Sequence, residues 1–343
     1  MSELREFVLS LLTGHGVGPA LLAFLVLGAA VFLAASRLAK HADAIADATG
    51  VGRVWVGSVL LAGSTSLPEL VTDVNAAVLG AIDIGVGDLF GSTLANMLVL
   101  ATLDIAYARR RLLHRVALDH SVVGSLAIVL TMIAAVAVVS GGLFPLGPVG
   151  GDSVLILALY LFGMHAVFRQ TAGVTAPPEQ LALGATRRTV LWSGIRGFAL
   201  GAVGIALVAP LVVLAAEAVA LEAGQSQTMV GTTLVGFTTS FPEIAATVAA
   251  ARLGAFDLAV GNIFGSNAFN MCLIFVMDVA YREGPLLASV SADHAFSAQV
   301  AVLALALGVM GMLARADRRI AVARIESLLI VAAYVGLVAL LAS

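Results

Sequence analysis

Two glutamates stand where a carboxylate is costly. Glu69 and Glu243 each follow a proline inside a long apolar segment, as Pro68–Glu69 and Pro242–Glu243. An ionisable side chain in such a segment reads by default as part of an ion or substrate path. Oxygen-bearing side chains gather beside both. Thr65 and Ser66 precede the first glutamate, and Thr239 and Ser240 precede the second. Ser66 and Glu69 are three residues apart and share a helix face. Further along, Ser92 with Asn96 and Ser266 with Asn270 are four apart and again share a face. Proline lacks the N–H that would bond the carbonyl four residues earlier, so Pro68 frees the Ser64 carbonyl and Pro242 that of Thr238. Unpaired carbonyls at membrane depth are tolerated only where protein, water or an ion satisfies them. An all-oxygen donor set of this kind suits a hard cation. One proline kink flanked by Ser, Thr or Asn would also fit plain hydrogen bonding between membrane helices.

The arrangement occurs twice, which favours the site. Residues 57–97 read GSVLLAGSTSLPELVTDVNAAVLGAIDIGVGDLFGSTLANM, and residues 231–271 read GTTLVGFTTSFPEIAATVAAARLGAFDLAVGNIFGSNAFNM. At an offset of 174, with no gap, 20 of the 41 aligned positions are identical. The same offset pairs Asp104 with Asp278, Asp119–His120 with Asp293–His294, and Asp152–Ser153 with Glu326–Ser327. Gly87, Gly91, Gly261 and Gly265 are small enough to let the oxygen-bearing helices approach closely.

The elements that hold these residues are membrane helices. The 343-residue chain is 60% hydrophobic and 11% charged, with a mean hydropathy of +1.05. A soluble domain carries about 25% charged residues. Ten apolar stretches qualify as spans: 17–36, 52–79, 84–106, 117–140, 152–168, 190–221, 226–252, 257–281, 294–314 and 322–342. Sixteen of the 18 basic residues fall in the odd-numbered loops, leaving Arg5 and Arg282 on the other side. The positive-inside rule makes the odd loops cytoplasmic and both termini extracytoplasmic. Five spans per half put the halves in opposite orientations, an inverted-topology repeat with its site near the midplane. The expected fold is therefore an all-α integral membrane protein of ten helices in the cell (inner) membrane. Residues 1–168 form the first half, 169–190 a cytoplasmic linker, and 191–343 the second half.

Cys272 is the one cysteine, read as a small core residue, and the six histidines show no metal spacing. Asp83 and Asp257 read as helix caps. His120 and His294 read as interfacial residues. No nucleic-acid motif and no cofactor motif is present. A membrane metalloprotease would need His-Glu-x-x-His, which is absent. The one lysine, Lys40, sits at a cytoplasmic end, too far from membrane depth to serve a serine hydrolase. A channel would build its site from an oligomeric ring, whereas the internal repeat favours one site per chain and a functional monomer.

The stretches GSTSLPEL with GSTLAN, and TTSFPEI with GNIFGSNAFN, resemble the two alpha-repeats of the sodium/calcium exchanger family. The resemblance implies antiport of Ca2+ against Na+ by alternating access, with no bound cofactor. It implies carboxylate ligands at Glu69 and Glu243 and backbone ligands at Ala62, Thr65, Gly236 and Thr239. It also implies hydroxyl ligands at Ser66, Ser92, Ser240 and Ser266, and amide ligands at Asn96 and Asn270. The first copy departs from the second. Asp73, one helical turn after Glu69, stands where the second copy has Thr247. Asp88 stands where it has Asn262. Asp73 reads as an extra acidic ligand or a proton carrier, which keeps H+/Ca2+ exchange, or exchange of another divalent cation, as the alternative. Asp88 reads first as a helix-start or vestibule residue, with an extra acidic ligand or proton carrier as the alternative. The first and sixth spans, long and poor in polar midplane residues, are the elements expected to move.

Overall fold

A computed structural model describes residues 2–49, 65–107, 119–171, 185–313, 319–320 and 323–342. The described chain is predominantly helical. Helices α1 (Ser2–Leu12), α2 (Val17–Thr49), α3 (Leu67–Leu79), α4 (Ile82–Ala106), α5 (Asp119–Ser140) and α6 (Gly151–Thr171) make up the first half. The second half holds α7 (Ala185–Ala223), α8 (Gln227–Thr239), α9 (Phe241–Arg252), α10 (Phe256–Ala280), the single turn α11 (Leu286–Ser289), α12 (His294–Leu313) and α13 (Ile325–Leu341). Among the described residues six helices are long and apolar enough to cross a membrane, or seven if the bent pair α8–α9 counts as one span. The expected span at 52–79 is seen only from residue 65 onward. Ala62 and Ser64 lie outside the described residues.

Helices α4 and α10 form the centre. Of the residues in their apolar windows, 72% and 67% are buried, against 22% for α2. A helix surrounded on all sides can be apolar all round. Phe264 and Met97 anchor one buried cluster, and Phe90 and Met277 a second. The long helices α2 and α7 pack mainly on each other, around Phe24, Val212 and Ala216.

Equivalent positions fold alike even where the sequences differ. Helices α3 and α9 both begin at a break. Ser66 (φ −86°, ψ 13°) and Ser240 (φ −75°, ψ 0°) leave the helical region just before Leu67–Pro68 and Phe241–Pro242. Proline at a first turn loses no hydrogen bond, because that N–H is unpaired anyway. The prolines therefore open new helices rather than kink old ones, and α8 and α9 meet at 48°. Gly80 and Gly254, again 174 apart, end these helices with φ of 75° and 78°, a conformation open to glycine at little cost. Two small hairpins are equivalent as well. Pro145 pairs with Gly150 and Leu146 with Val149, as Arg319 pairs with Arg324 and Ile320 with Ala323.

Candidate cation site

The breaks before α3 and α9 bring the two glutamates into one buried cluster. Glu69 and Glu243 are both fully buried. Each takes a hydrogen bond from the serine of the other half: Ser66 Oγ donates to Glu243 Oε1 at 2.8 Å, and Ser240 Oγ to Glu69 Oε1 at 3.4 Å. Thr65 also bonds Glu243 through its side chain. The remaining oxygen of each glutamate, Oε2, is buried with no donor among the described residues.

Helix α8 supplies the next oxygens. It carries a π-helical turn, Gly231–Val235, where it crosses α4. The crossing is backbone on backbone. A Cβ on Gly91 would lie 2.2 Å from the Thr232 carbonyl oxygen, and one on Gly236 2.7 Å from the Gly91 carbonyl carbon. That closeness lets Ser92 Oγ reach the Gly236 carbonyl at 3.2 Å and the Thr239 hydroxyl at 3.3 Å. Thr239 also donates to the carbonyl of Val235 at 3.0 Å. Gly87 serves the same crossing, against Gly231. Gly261, expected to do likewise, instead makes room for the His120 ring.

On the far side of the cluster Asn96 Nδ2 donates to Asn267 Oδ1 at 2.9 Å. Asn96 Oδ1, Ser266 Oγ and both polar atoms of the Asn270 amide are buried without partners among the described residues. Unpartnered buried polar atoms are uncommon and each calls for an explanation. Here they are mostly oxygens, on the residue types that hold hard cations. Among the described residues no three His, Cys, Asp or Glu side chains converge as a metal-holding group. The cluster therefore depends on hydroxyl, amide and carbonyl oxygens around its two glutamates.

Asp88 is not a vestibule residue. It is fully buried in α4 and accepts from Thr239 Oγ1 at 2.7 Å and Ser92 Oγ at 3.0 Å. Asp73 is equally buried, and its carboxyl meets that of Asp88. Asn262, at the equivalent of Asp88, donates to Thr247 at 3.0 Å and to the Glu243 carbonyl at 3.2 Å. In sequence Asn262 and Asn267 mark only differences between the two copies and carry no site role. Their signal was a polar side chain inside an otherwise apolar helix.

Asp83 and Asp257 are not caps either. The residues before α4 and α10 are Ala81 and Ala255. Asp83 Oδ1 accepts from the Ser291 backbone N–H at 2.7 Å and lies 3.0 Å from His294 Nε2, while Asp257 lies 3.5 Å from His120 Nε2. His294, expected at the interface, is fully buried. Two further carboxyls are held across the halves: Ser327 Oγ donates to Asp104 at 2.8 Å, and Ser153 Oγ donates to Asp278. Ser153→Ala is expected to cost about 1–3 kcal/mol by leaving a buried carboxylate short of a donor. Thermal unfolding should show the loss while Ca2+ binding is retained.

In the Ser–Glu, His–Asp and Ser–Asp pairs one partner comes from each half, and each pair recurs with the halves exchanged. Residues 19–169 and 193–342 match the sodium/calcium exchanger protein family. The chain belongs to the sodium/calcium exchanger family. It is 25% identical over 329 residues to CaxA of Alkalimonas amylolytica, named as a candidate antiporter, covering 91% of this chain and 96% of that one. It is 51% identical to the sodium/calcium exchanger MaX1 of Methanosarcina acetivorans over 51 residues, 15% of each chain. Its fold matches the solved sodium-calcium exchanger NCX_Mj with a TM-score of 0.60 and 22% identity, over 93% of this chain and 97% of that one. Membership makes this a multi-pass membrane cation antiporter, and its relatives are transporters rather than enzymes.

Proposed function

We propose that this exchanger-family protein carries Ca2+ in one direction and Na+ in the other, through a single site between Glu69 and Glu243. The observation that carries the reading is the reciprocal contact of Ser66 with Glu243 and Ser240 with Glu69, each leaving one carboxylate oxygen buried and without a donor among the described residues. The proposed ligands are these four side chains with Thr65, Thr239, Ser92, Ser266, Asn96 and Asn270, and the backbone at Ala62 and Gly236. Two carboxylates carry −2, which balances one Ca2+ or two Na+. The ions then compete for the same oxygens, as antiport requires.

The reading takes the chain as ten spans in two inverted halves, with both termini extracytoplasmic and the basic loops in the cytoplasm of the inner membrane. The pairs that recur with the halves exchanged support that relation. Helices α2 and α7 are the moving pair. They pack mainly on each other, and α2 is mostly open to lipid. Sliding them past the α3–α4 and α9–α10 core would open the site first to one side and then to the other, in a functional monomer. Asp73 favours the second reading, coupling to H+.

The test is calcium uptake into vesicles holding the purified protein, driven by an outward sodium gradient with pH clamped on both sides. Uptake that rises with the gradient is expected. Uptake indifferent to sodium but driven by a pH gradient would replace this reading with the second.

A further inference from the structure

Asp73 and Asp88 have no role in the two-glutamate scheme. Asp73 has no donor for either carboxyl oxygen among the described residues, and Asp88 has none for Oδ2. Each carboxyl lies within hydrogen-bond reach of the other. The repeat supplies a control for this contact. The equivalents 174 residues on are Thr247 and Asn262, and there Asn262 Nδ2 donates to Thr247 Oγ1 at 3.0 Å. The fold thus brings these two positions together in both halves. In the second half the contact joins a donor to an acceptor and needs nothing more. In the first half it joins two carboxyls, whose like charges repel strongly at short range and low dielectric when both are ionised. A buried contact of that kind persists only where a cation or a shared proton holds it.

Among the described residues no basic side chain is bonded to either carboxyl. The other groups on Asp88 are the hydroxyls of Ser92 and Thr239, at 3.0 and 2.7 Å. Both hydroxyl oxygens keep lone pairs that a cation can use. The Gly236 carbonyl, 3.2 Å from Ser92 Oγ, adjoins them on a helix already loosened by its π turn. Carboxylates, hydroxyls and carbonyls of a disturbed helix are the donors that suit Na+.

We propose that Asp73 and Asp88 form a Na+ subsite that exists in the first half alone, joined to the Glu69–Glu243 site through Ser92 and Thr239. It rests on the cation-antiporter reading and adds one positive charge to what the protein holds when loaded with sodium.

Equilibrium binding of radioactive Na+ to the purified full-length protein, with radioactive Ca2+ measured in parallel, tests it. The variants are Asp88→Asn and the double Asp73→Thr/Asp88→Asn, which gives the first half the residues of the second. Wild type should bind one Na+ per chain more than either variant, with saturable Ca2+ binding kept in all three. Equal Na+ counts would overturn the subsite and leave the antiporter reading standing. Equal Na+ counts with one more proton released on Ca2+ binding by the wild type would also overturn it, by assigning the pair to a proton. Absence of Ca2+ binding from the wild type would instead sink the antiporter reading. Asp88→Asn preserves size and copies the Asn262 arrangement, so it answers the question even if the double variant does not fold.

Discussion

Glu69→Gln and Glu243→Gln are each expected to lower the affinity for Ca2+ by roughly 30-fold to several thousand-fold. That range corresponds to about 2–5 kcal/mol for the loss of one charge from a buried, hydrogen-bonded charged contact. Calcium uptake at micromolar Ca2+ should fall below detection. The two substitutions should act alike, because each glutamate is fully buried and each takes a serine from the other half. Neither should unfold the protein. Gln keeps the acceptor that Ser66 or Ser240 bonds, and removing one of several buried carboxylates relieves their mutual repulsion. In the absence of ions the melting temperature of both variants should therefore stay level or rise. What they should lose is stabilisation by calcium, worth about 2.7 kcal/mol at a hundred times the dissociation constant. Melting with and without Ca2+ separates a lost ligand from a lost fold. Normal uptake by both variants would remove the site assignment.

The second large effect is expected from a methyl group. In Gly91→Ala the new Cβ would lie 2.2 Å from the Thr232 carbonyl oxygen, and in Gly236→Ala 2.7 Å from the backbone of Gly91 and Ser92. The obstacles are main-chain atoms of a facing helix, which no rotamer change can move. Helices α4 and α8 must separate, at a cost of about 1–3 kcal/mol or more. Separation also draws Ser92 away from the Gly236 carbonyl, a 3.2 Å contact that leaves little slack. Both stability and transport should drop, with transport dropping further because two proposed ligands shift together. Gly336→Ala is the control. It lies within α13 with nothing within 4 Å of the added methyl. Alanine there is expected to be neutral or to stabilise by up to about 1 kcal/mol. If Gly91→Ala melts and transports like Gly336→Ala, the close crossing does not govern the site.

Much of this was legible in the residues, for identifiable reasons. Apolar length and flanking polarity placed α4, α5, α10, α12 and α13 within a few residues of where they lie. The cost of an intramembrane carboxylate singled out Glu69 and Glu243. The prolines marked the right places, but they begin helices where a kink was expected, because the chain breaks two residues earlier, at Ser66 and Ser240. Helix α2 continues 13 residues past its expected end at 36, since a helix leaving the membrane needs no apolar residues to continue. The partners of Asp83, Asp257, His120 and His294 were hidden. A cap, an interfacial ring and a cross-half pair look the same in sequence, and only the packing of one half on the other separates them. The π turn at Gly231–Val235 was hidden for the same reason, since it accompanies a neighbour's approach.

The pairs that recur with the halves exchanged carry a consequence for descent. Asp104 takes its hydroxyl from Ser327, and Asp278 takes its hydroxyl from Ser153. A chain of half this length could satisfy those carboxyls only against a second copy of itself, through a self-complementary two-fold contact. The ancestor that the contacts describe is a pair of identical chains, in which any change at one position appeared twice. Joining the copies ended that constraint. Aspartates at both 73 and 88 in a pair of identical chains would put four more buried negative charges around one site. In the joined chain Asp73 and Asp88 face each other while Thr247 and Asn262 remain neutral. A joined chain can thus carry a charged contact in one half and a neutral hydrogen bond at the equivalent place in the other.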